Sequence, residues 1–410
     1  MSFPLSPQSR LKLTILVATL GYFVDLFDLI LFVLVRTTSL KDLHVAPERM
    51  LSTGAFLLNV QMAGLLIGGI FWGVLGDRRG RLSVLLGSIV LYSVANLANA
   101  FVTSVTSYAV WRFIAGLGLA GELGAGVTIV SELLPQRIRG YGSTIISSVG
   151  LSGAAAAAML AEWVTWRHAY MVGGVIGLCL LSLRIGVRES DLFTKTRASA
   201  AVRGSWLRLM RHPKLLARVG LIALVGVPIW FVIGIIGTFT PEFGLALGMA
   251  PNLPKVTTAI LCLYAGLCVG DAINGLISQW LKSRRWAVLI ALGSIACLLA
   301  AYPEFAGRSV SIYYTTCFVL GCATGYWAMF VQIAAELFGT NYRATITTSV
   351  PNLVRGSTIP MTLAFQALLP AFGVVGGGLW VGFAVLTFAV AAIIALPETF
   401  HRELDYEEIV

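Results

Sequence analysis

The chain has 410 residues, of which 57% are apolar and only 12% are charged, and its mean hydropathy is +0.85. Soluble domains carry close to 25% charged residues, so this composition excludes a soluble protein and predicts a membrane protein that crosses the bilayer several times. Six cysteines lie within apolar runs and four histidines are scattered, which excludes a disulfide framework and a metal cluster. We therefore expect no metal and no organic cofactor.

Apolar runs long enough to cross about 30 Å of hydrocarbon recur along the whole chain. The polar start, residues 1–12, lacks the pattern of a cleaved signal peptide, so the first run is predicted to be a retained helix. The predicted spans are 13–35, 53–75, 82–102, 106–133, 141–163, 168–187, 218–240, 256–281, 286–302, 309–335, 344–369 and 375–396. The sequence therefore predicts an all-α membrane protein with twelve spans.

The net charge of +10 is explained by where the basic residues lie. With a cytoplasmic N-terminus, 21 of the 29 basic residues fall on the inner side and six on the outer side. Because basic residues are retained on the cytoplasmic side, both termini are predicted to be cytoplasmic, in a bacterial inner membrane. The charge is then attributed to the anionic inner leaflet, and nucleic acid is excluded as a partner.

The two halves of the chain resemble one another. A basic connection, residues 188–217, separates an N-terminal bundle, 1–187, from a C-terminal bundle, 218–410. Glu132 and Arg139 of the first half recur as Glu336 and Arg343 of the second half. Two pseudo-symmetric six-helix bundles with a site between them are typical of secondary transporters. Because both halves are present, a monomer is predicted.

The connection after the second span reads Gly73-Val74-Leu75-Gly76-Asp77-Arg78-Arg79-Gly80-Arg81. It resembles the signature loop of the major facilitator superfamily. Within the fourth span, the segment from Arg112 to Glu122 is similar to the corresponding segment of the superfamily's metabolite:proton, aromatic-acid:proton and sugar-porter branches. In the first span, Asp25-Leu26-Phe27-Asp28 resembles a pattern of the metabolite and aromatic-acid symporters. The resemblance implies the major facilitator fold and secondary transport.

Charged residues near the inner membrane edge are predicted to act in gating. A carboxylate there accepts hydrogen bonds from arginines and from a facing helix N-terminus, which would latch the cytoplasmic side shut. Matching ion pairs are expected between Glu132 and Arg139 and between Glu336 and Arg343. A role in topology and folding alone is the alternative. The complete predicted gating set is Asp77, Arg78, Arg81, Glu132, Arg139, Glu336 and Arg343.

Ionisable residues at membrane depth are costly and therefore mark functional positions. The sequence places six of them within spans: Asp25, Asp28, Arg112, Glu122, Asp271 and Arg355. Asp28 and Arg112 each lie about 10 Å below the predicted outer boundary, at 1.5 Å per residue. We predict that they form an ion pair, that Asp25 and Asp28 bind the coupling proton, and that Arg112 controls its release. A static ion pair joining two helices is the alternative.

In the second half, Arg355 and Asp271 lie at similar heights, about 15 Å above the inner ends of their helices. Two interpretations compete: Arg355 binds an anionic substrate through its guanidinium, or Asp271 neutralises it structurally. A substrate carboxylate that displaces Asp271 would provide a switch. Further predicted substrate-binding residues, chosen by depth, are Tyr22, Trp230, Tyr264, Asn274, Tyr326, Trp327, Asn352 and Glu122.

These features predict a proton-coupled symporter that moves a small organic anion, a carboxylate, by alternating access. A sugar or zwitterion symporter, or proton-driven efflux of a toxic compound or siderophore, remains open because the same acids serve those functions. A membrane receptor that binds without transporting is the alternative from another class. The sequence contains no GxxxxGK[ST] loop, which excludes ATP-driven pumping, and no catalytic set that would indicate an enzyme.

Overall fold

The computed structural model describes residues 7–79, 81–122, 139–184 and 211–400, and all the regular elements within those ranges are helical. The first half contains α1 Pro7–Asp42, α2 Met50–Arg79, α3 Arg81–Asn99, α4 Val105–Leu119, α5 Arg139–Trp163 and α6 Trp166–Arg184. A single 3-10 turn, Pro47–Arg49, precedes α2. We call the end of the molecule where α1 ends and α2 begins the predicted outer end.

The second half begins with α7 Pro213–Phe231, which starts inside the predicted linker and continues into a π-helical turn, Val232–Gly237. A short helix, Thr240–Ala246, leads to the remaining spans. These are α8 Val256–Leu281, α9 Arg284–Phe305, α10a Val310–Thr324, α10b Trp327–Glu336, α11 Thr340–Gly356 and α12 Thr358–Ala395. The last helix turns at Gly373, whose φ of 66° only glycine adopts readily, so its first part completes the eleventh span and its second part forms the twelfth.

The lengths and compositions of these helices are those of membrane spans. Seven helical segments in the described ranges are apolar and long enough to cross a membrane, and one of them, Thr345–Ala395, has 51 residues and suffices for two crossings. Two shorter apolar helices, Ser83–Asn99 and Val149–Trp163, add to them. The prediction of an integral, multi-pass, all-α membrane protein is confirmed.

Packing between the helices follows a pseudo-twofold pattern. Within the first bundle α1 packs on α5 and α2 on α4, and within the second bundle α7 packs on α11 and α8 on α10a. Between the bundles, α2 contacts α11 and α5 contacts α8, so the second helix of each half meets the fifth helix of the other. The expected pair of pseudo-symmetric six-helix bundles is therefore present.

Glycines allow α2 and α4 to pack closely. A side chain at Gly64 would collide with the carbonyl oxygen of Phe113, and one at Gly116 would collide with that of Gln61. Small residues at such contacts let helix backbones approach in a membrane, where burial from water supplies no driving force. The run of glycines after Arg112 thus serves helix packing, and it brings Arg112 into the interior of the first bundle.

Candidate functional site

A buried ion pair connects the two bundles near mid-depth. Arg355 of α11 donates through Nη2 to Oδ2 of Asp25 at 2.8 Å and through Nη1 to Oδ1 at 3.5 Å. The aspartate is 0% exposed and the arginine 1% exposed. A fork of this kind is the strongest arrangement available to an arginine and a carboxylate. The pair therefore joins the halves of the molecule at one point.

The surroundings of Arg355 explain its position. It lies in the last turn of α11, next to the break between Gly356 and Thr358, where the backbone approaches the side chain of Leu66 on α2. The guanidinium also lies 5.9 Å from the ring centroid of Trp230 on α7. A cation over an aromatic face is stabilised by the ring quadrupole, so three helices contribute to holding this charge.

A small cavity lies beside the guanidinium, between the bundles. Its wall combines aromatic rings and aliphatic side chains with a single arginine. The lining residues are Tyr22, Leu26, Leu151, Ile229, Trp230, Ile233, Tyr264, Leu267, Trp327 and Arg355. An apolar pocket with few convergent polar groups is the usual form of a small-molecule site.

Five of the residues predicted from depth line this cavity: Tyr22, Trp230, Tyr264, Trp327 and Arg355. Four others lie elsewhere, because their polar groups are used in holding helices together. Tyr326 donates its hydroxyl to the carbonyl of Val225, Asn274 donates to that of Gly325, Asn352 donates to that of Ala120, and Glu122 accepts from Ser88. The structure does not bring these four residues to the cavity wall, and their role in binding stays a prediction.

The predicted pair between Asp271 and Arg355 was also wrong. The carboxylate of Asp271 accepts a hydrogen bond of 3.2 Å from the backbone N–H of Ala328, in the first turn of α10b. One turn further along α8, Asn274 donates to the carbonyl of Gly325 at 2.8 Å. The tenth span breaks between α10a and α10b, which frees backbone groups, and α8 satisfies them.

Asp28 and Arg112 are close but form no direct ion pair, which corrects that prediction. Both side chains are 0% exposed and interact electrostatically, yet neither carboxylate oxygen and none of the three guanidinium nitrogens has a hydrogen-bond partner. The guanidinium instead lies over Phe32, at 5.1 Å from the ring centroid, and over Tyr170, at 5.6 Å. Arg112 therefore packs against aromatic rings and not against the Asp28 carboxylate.

A set of contacts between the bundles at the predicted outer end was not predicted from the sequence. Arg36 of α1 donates to both carboxylate oxygens of Glu242, at 2.7 and 2.8 Å, and to the carbonyl of Thr238 at 3.1 Å. Its guanidinium lies over the ring of Phe239, 4.8 Å from the centroid. Arg36 is 0% exposed, so a residue that sequence placed in an outer loop forms a buried link. Its position next to a span end was the only available signal.

Two weaker links lie at the same end. Lys255 contacts Glu162 at 3.1 Å, with both side chains exposed, and Thr257 donates to the same carboxylate. Thr362 donates to the side-chain oxygen of Asn59 at 2.6 Å. Together with Arg36 they hold the bundles together at the predicted outer end, and we call the three contacts the outer latch.

Most of the predicted gating residues cannot be placed, because they lie outside what the structure describes. Glu132 is outside the described ranges. The same holds for the side chains of Asp77, Arg78, Arg81, Arg139 and Arg343. In the second half, Glu336 contacts Arg284 at 3.4 Å, and Arg284 also donates to Ser278 at 2.9 Å. The gating roles remain predictions.

Glu398 completes this network after the end of α12. It accepts hydrogen bonds from the hydroxyl of Ser283 and from the backbone N–H groups of Arg284, Thr399 and Phe400. Burial by itself would raise the pKa of Glu398, but these donors hold the pKa of its carboxyl below the usual range. A charged carboxylate therefore links the start of α9 to the end of α12.

Comparison with known proteins identifies a family for this chain and several similar transporters. Residues 18–359 match the family model described as Major Facilitator Superfamily. The chain is similar to the niacin transporter NiaP of Acinetobacter baylyi, with 32% identity over 189 residues that cover 45% of this chain and 42% of that protein. It is also similar to the gentisate transporter of Corynebacterium glutamicum, with 25% identity over 405 residues, 92% of this chain and 86% of that protein.

Among solved structures, the D-xylose-proton symporter superposes with a TM-score of 0.72 at 18% identity, covering 95% of this chain and 99% of that one. The agreement extends over both bundles and therefore concerns the whole fold. The chain belongs to the major facilitator superfamily and is a membrane transporter of that family.

Proposed function

We propose that the protein is a proton-coupled symporter of a small organic carboxylate that works by alternating access. The observation that supports this most directly is the buried pair of Asp25 and Arg355, which spans the two bundles at the edge of the cavity. A charge pair in such a place has to change partners when the bundles separate, because neither charge tolerates isolation in a membrane interior.

Asp25 binds the guanidinium of Arg355 in the way that a substrate carboxylate would. Its two oxygens meet the two terminal nitrogens of Arg355, the same geometry that a benzoate-like anion would adopt. Protonation of Asp25 removes its charge and leaves the arginine available to the cavity. A substrate carboxylate then takes the place of Asp25.

This exchange couples the anion to a proton through charge balance. Before the exchange, the negative charge of Asp25 balances the positive charge of Arg355. After it, the charge of the bound anion balances that of Arg355, and Asp25 is protonated and neutral. The anion without the proton would leave a surplus negative charge buried, and the proton without the anion would leave a surplus positive charge. Both partial states carry the full cost of an unpaired buried charge, so the proton and the anion travel together.

Asp28 is proposed to receive the proton before Asp25. The two residues lie three apart on α1, so their side chains share one helix face at roughly 5–6 Å between Cβ atoms. Because Asp28 has no direct bond to Arg112, its protonation does not require a salt bridge to break first. Arg112 lies near Asp28 and is proposed to control when that proton is released.

The cavity wall suggests a flat, unsaturated carboxylate as the substrate class. Four aromatic side chains surround one cation, an arrangement that suits a flat anion. The relatives named as niacin and gentisate transporters handle compact aromatic acids. We extend that class to this chain, together with an inner-membrane location, cytoplasmic termini and a monomeric state.

A binding experiment on the purified protein tests the exchange. Niacin and gentisate are titrated calorimetrically at about pH 6 and about pH 8, where a carboxylate substrate stays ionised and only the protein changes protonation. We expect the wild type to bind more weakly at the higher pH, because ionised Asp25 competes for Arg355. Asp25→Asn should bind with no such dependence, since its amide leaves the arginine available at both pH values.

Asp271→Asn is the matched control, because Asp271 caps α10b and is not bonded to Arg355. It should keep the pH dependence of the wild type. Binding of D-xylose but of no carboxylate, or a pH dependence that survives in Asp25→Asn, would contradict the proposal.

A further inference from the structure

The buried face of α3 carries three polar side chains whose polar atoms form no direct hydrogen bond within the described ranges. Ser93, Asn96 and Asn99 recur every three residues, so they lie along one face of the helix toward its end at the predicted outer side. All three are 0% exposed, and none of their side-chain polar atoms forms a hydrogen bond. We call these residues the polar lane.

Asp28 lies beside the lane, level with Asn96. Two glycines of α6 show this: a side chain at Gly173 would lie 2.7 Å from Oδ1 of Asp28, and one at Gly177, a turn away, would collide with the hydroxyl of Ser93. The amide of Asn96 also lies next to the Asp28 carboxyl. Asp28 and the lane therefore border the same glycine face of α6.

Further unpartnered groups extend this interior. Both polar atoms of Gln61 on α2 and all three guanidinium nitrogens of Arg112 on α4 are buried without hydrogen bonds. With Asp28 and the lane, this makes twelve such atoms inside one bundle. So many unmet donors and acceptors would exceed the stability of a folded protein, so they require a ligand that both donates and accepts.

Water fits that requirement best. Arg112 disfavours a bound cation, Asp28 disfavours a bound anion, and the amides and hydroxyl offer donors and acceptors in alternation. Buried waters are normally found where two or more polar groups converge in this way. The arrangement is separate from the substrate cavity, because none of these side chains belongs to the cavity wall.

The far end of the lane lies under a polar cover. Arg167 donates to the carbonyls of Ala100 and Val102, each at 2.9 Å, directly after Asn99, and contacts Asp42 at 3.1 Å. The arginine side chain is 33% exposed and Asp42 50%, so this cover faces outward.

We propose that the polar lane is a hydrated proton path from the predicted outer end to Asp28, separate from the substrate route and covered by Arg167. The proposal rests on the proton-coupled function inferred above. The charged and titratable groups that face Asp28 are Arg112 and Glu122 of α4, Asp25 of its own helix and Tyr170 of α6. The lane supplies the step that these groups lack, namely a connection to bulk water.

Transport by proteoliposomes tests the lane. Uptake of labelled niacin driven by a proton gradient is compared with niacin counterflow, which needs no net proton movement. We expect Asn96→Leu and Asn99→Leu to lower gradient-driven uptake at least about tenfold and to leave counterflow within about twofold, since only proton transfer is slowed. Asn96→Ser, which keeps a polar group and leaves space for water, should retain most of the uptake.

The two leucine variants separate the lane from a local effect on Asp28. Loss of uptake in Asn96→Leu alone would make Asn96 a positioning residue for Asp28, and full uptake in both would remove the lane; either result overturns the proposal. Asp28→Asn is measured beside them. If that variant still accumulates niacin against its gradient, the coupling mechanism itself is wrong, and the lane falls with it.

Hydroxyl-radical footprinting of the wild type gives a measurement that needs no variant to fold. Radicals formed from buried water label adjacent side chains. Tyr170 and Tyr326 are both 0% exposed, and both hydroxyls are hydrogen-bonded, to the Tyr108 hydroxyl and to the Val225 carbonyl respectively, but Tyr170 lies next to Arg112 and Tyr326 lies in the second bundle. We expect Tyr170 to be labelled several times faster than Tyr326. Equal, slow labelling of both would exclude a hydrated lane.

Discussion

Two pairs of an aspartate and an arginine lie one helical turn apart along α1, and they are built differently. Asp25 forms a forked ion pair with Arg355 that joins the two bundles. Asp28 and Arg112 lie within a single bundle, where they interact electrostatically but form no hydrogen bond. All four side chains are fully buried or nearly so.

The difference indicates a division of labour. In the proposed mechanism the bond between the bundles breaks when the bundles separate, so the Asp25 pair would respond to conformation and to substrate. The Asp28 pair lies within one bundle, so the same movement would leave it intact and only protonation would change it. One pair is suited to switching partners and the other to exchanging a proton.

The sharpest test of this division is Asp28→Asn. Because the amide cannot release a proton, we expect gradient-driven accumulation of niacin to fall by about 100-fold or more while counterflow stays within about threefold. Uptake into proteoliposomes with and without a pH gradient measures both. Undiminished uphill transport would assign the proton to Asp25 alone and end the comparison.

Arg355→Lys tests the other pair. A lysine keeps the charge but loses the fork, so we expect niacin affinity to fall roughly 10- to 100-fold, or about 1.5–3 kcal/mol. Calorimetry on the purified variant measures the change. Arg112→Lys is the matched control and should bind niacin as the wild type does, because Arg112 is not part of the cavity wall. Equal losses in both variants would contradict separate roles.

Substitutions in the outer latch should change the population of an open outer end, and the size of the change should depend on whether the contact is buried. Arg36→Gln removes a buried charge from Glu242 and should shift the population toward an open outer end by about 3 kcal/mol. Lys255→Gln removes an exposed contact with Glu162 and should shift it by less than about 1 kcal/mol.

Electron–electron distances between spin labels at exposed positions 52 and 311, one on each bundle, measure this population in detergent. A large increase of the longer distance is expected for Arg36→Gln and little change for Lys255→Gln. Similar distributions in the two variants would show that burial does not set the strength of the latch.

Depth was the part of the site that the sequence predicted well. A constant rise per residue places each charge along its helix, which was enough to select Tyr22, Trp230, Tyr264, Trp327 and Arg355 as cavity residues. Depth does not determine the direction in which a side chain points or the helix it meets. Consequently Arg355 was assigned to Asp271, at the right height, when Asp25 of the other bundle is its partner.

Asp271 shows why the partner was not predictable. Its carboxylate is used by the N-terminus of α10b, and that N-terminus exists only because the tenth span breaks after Thr324. No proline marks the break, and the local sequence reads as one apolar run. The backbone groups at the break are bonded by Asp271 and Asn274 of α8, so the partner of Asp271 is decided by how α8 packs against α10a and α10b.

The amino-acid sequence by itself determined that this is a membrane transporter with two related bundles, because apolar length, charge asymmetry and the repeated motifs are local properties that each segment carries alone. Only the tertiary structure decided which charges meet. Ion pairs across bundles, the outer latch and the unpartnered polar face of α3 depend on helix rotation and on contacts more than 200 residues apart, such as Arg36 with Glu242 and Asp25 with Arg355. Those contacts follow from the packing of whole helices, to which every residue of a span contributes.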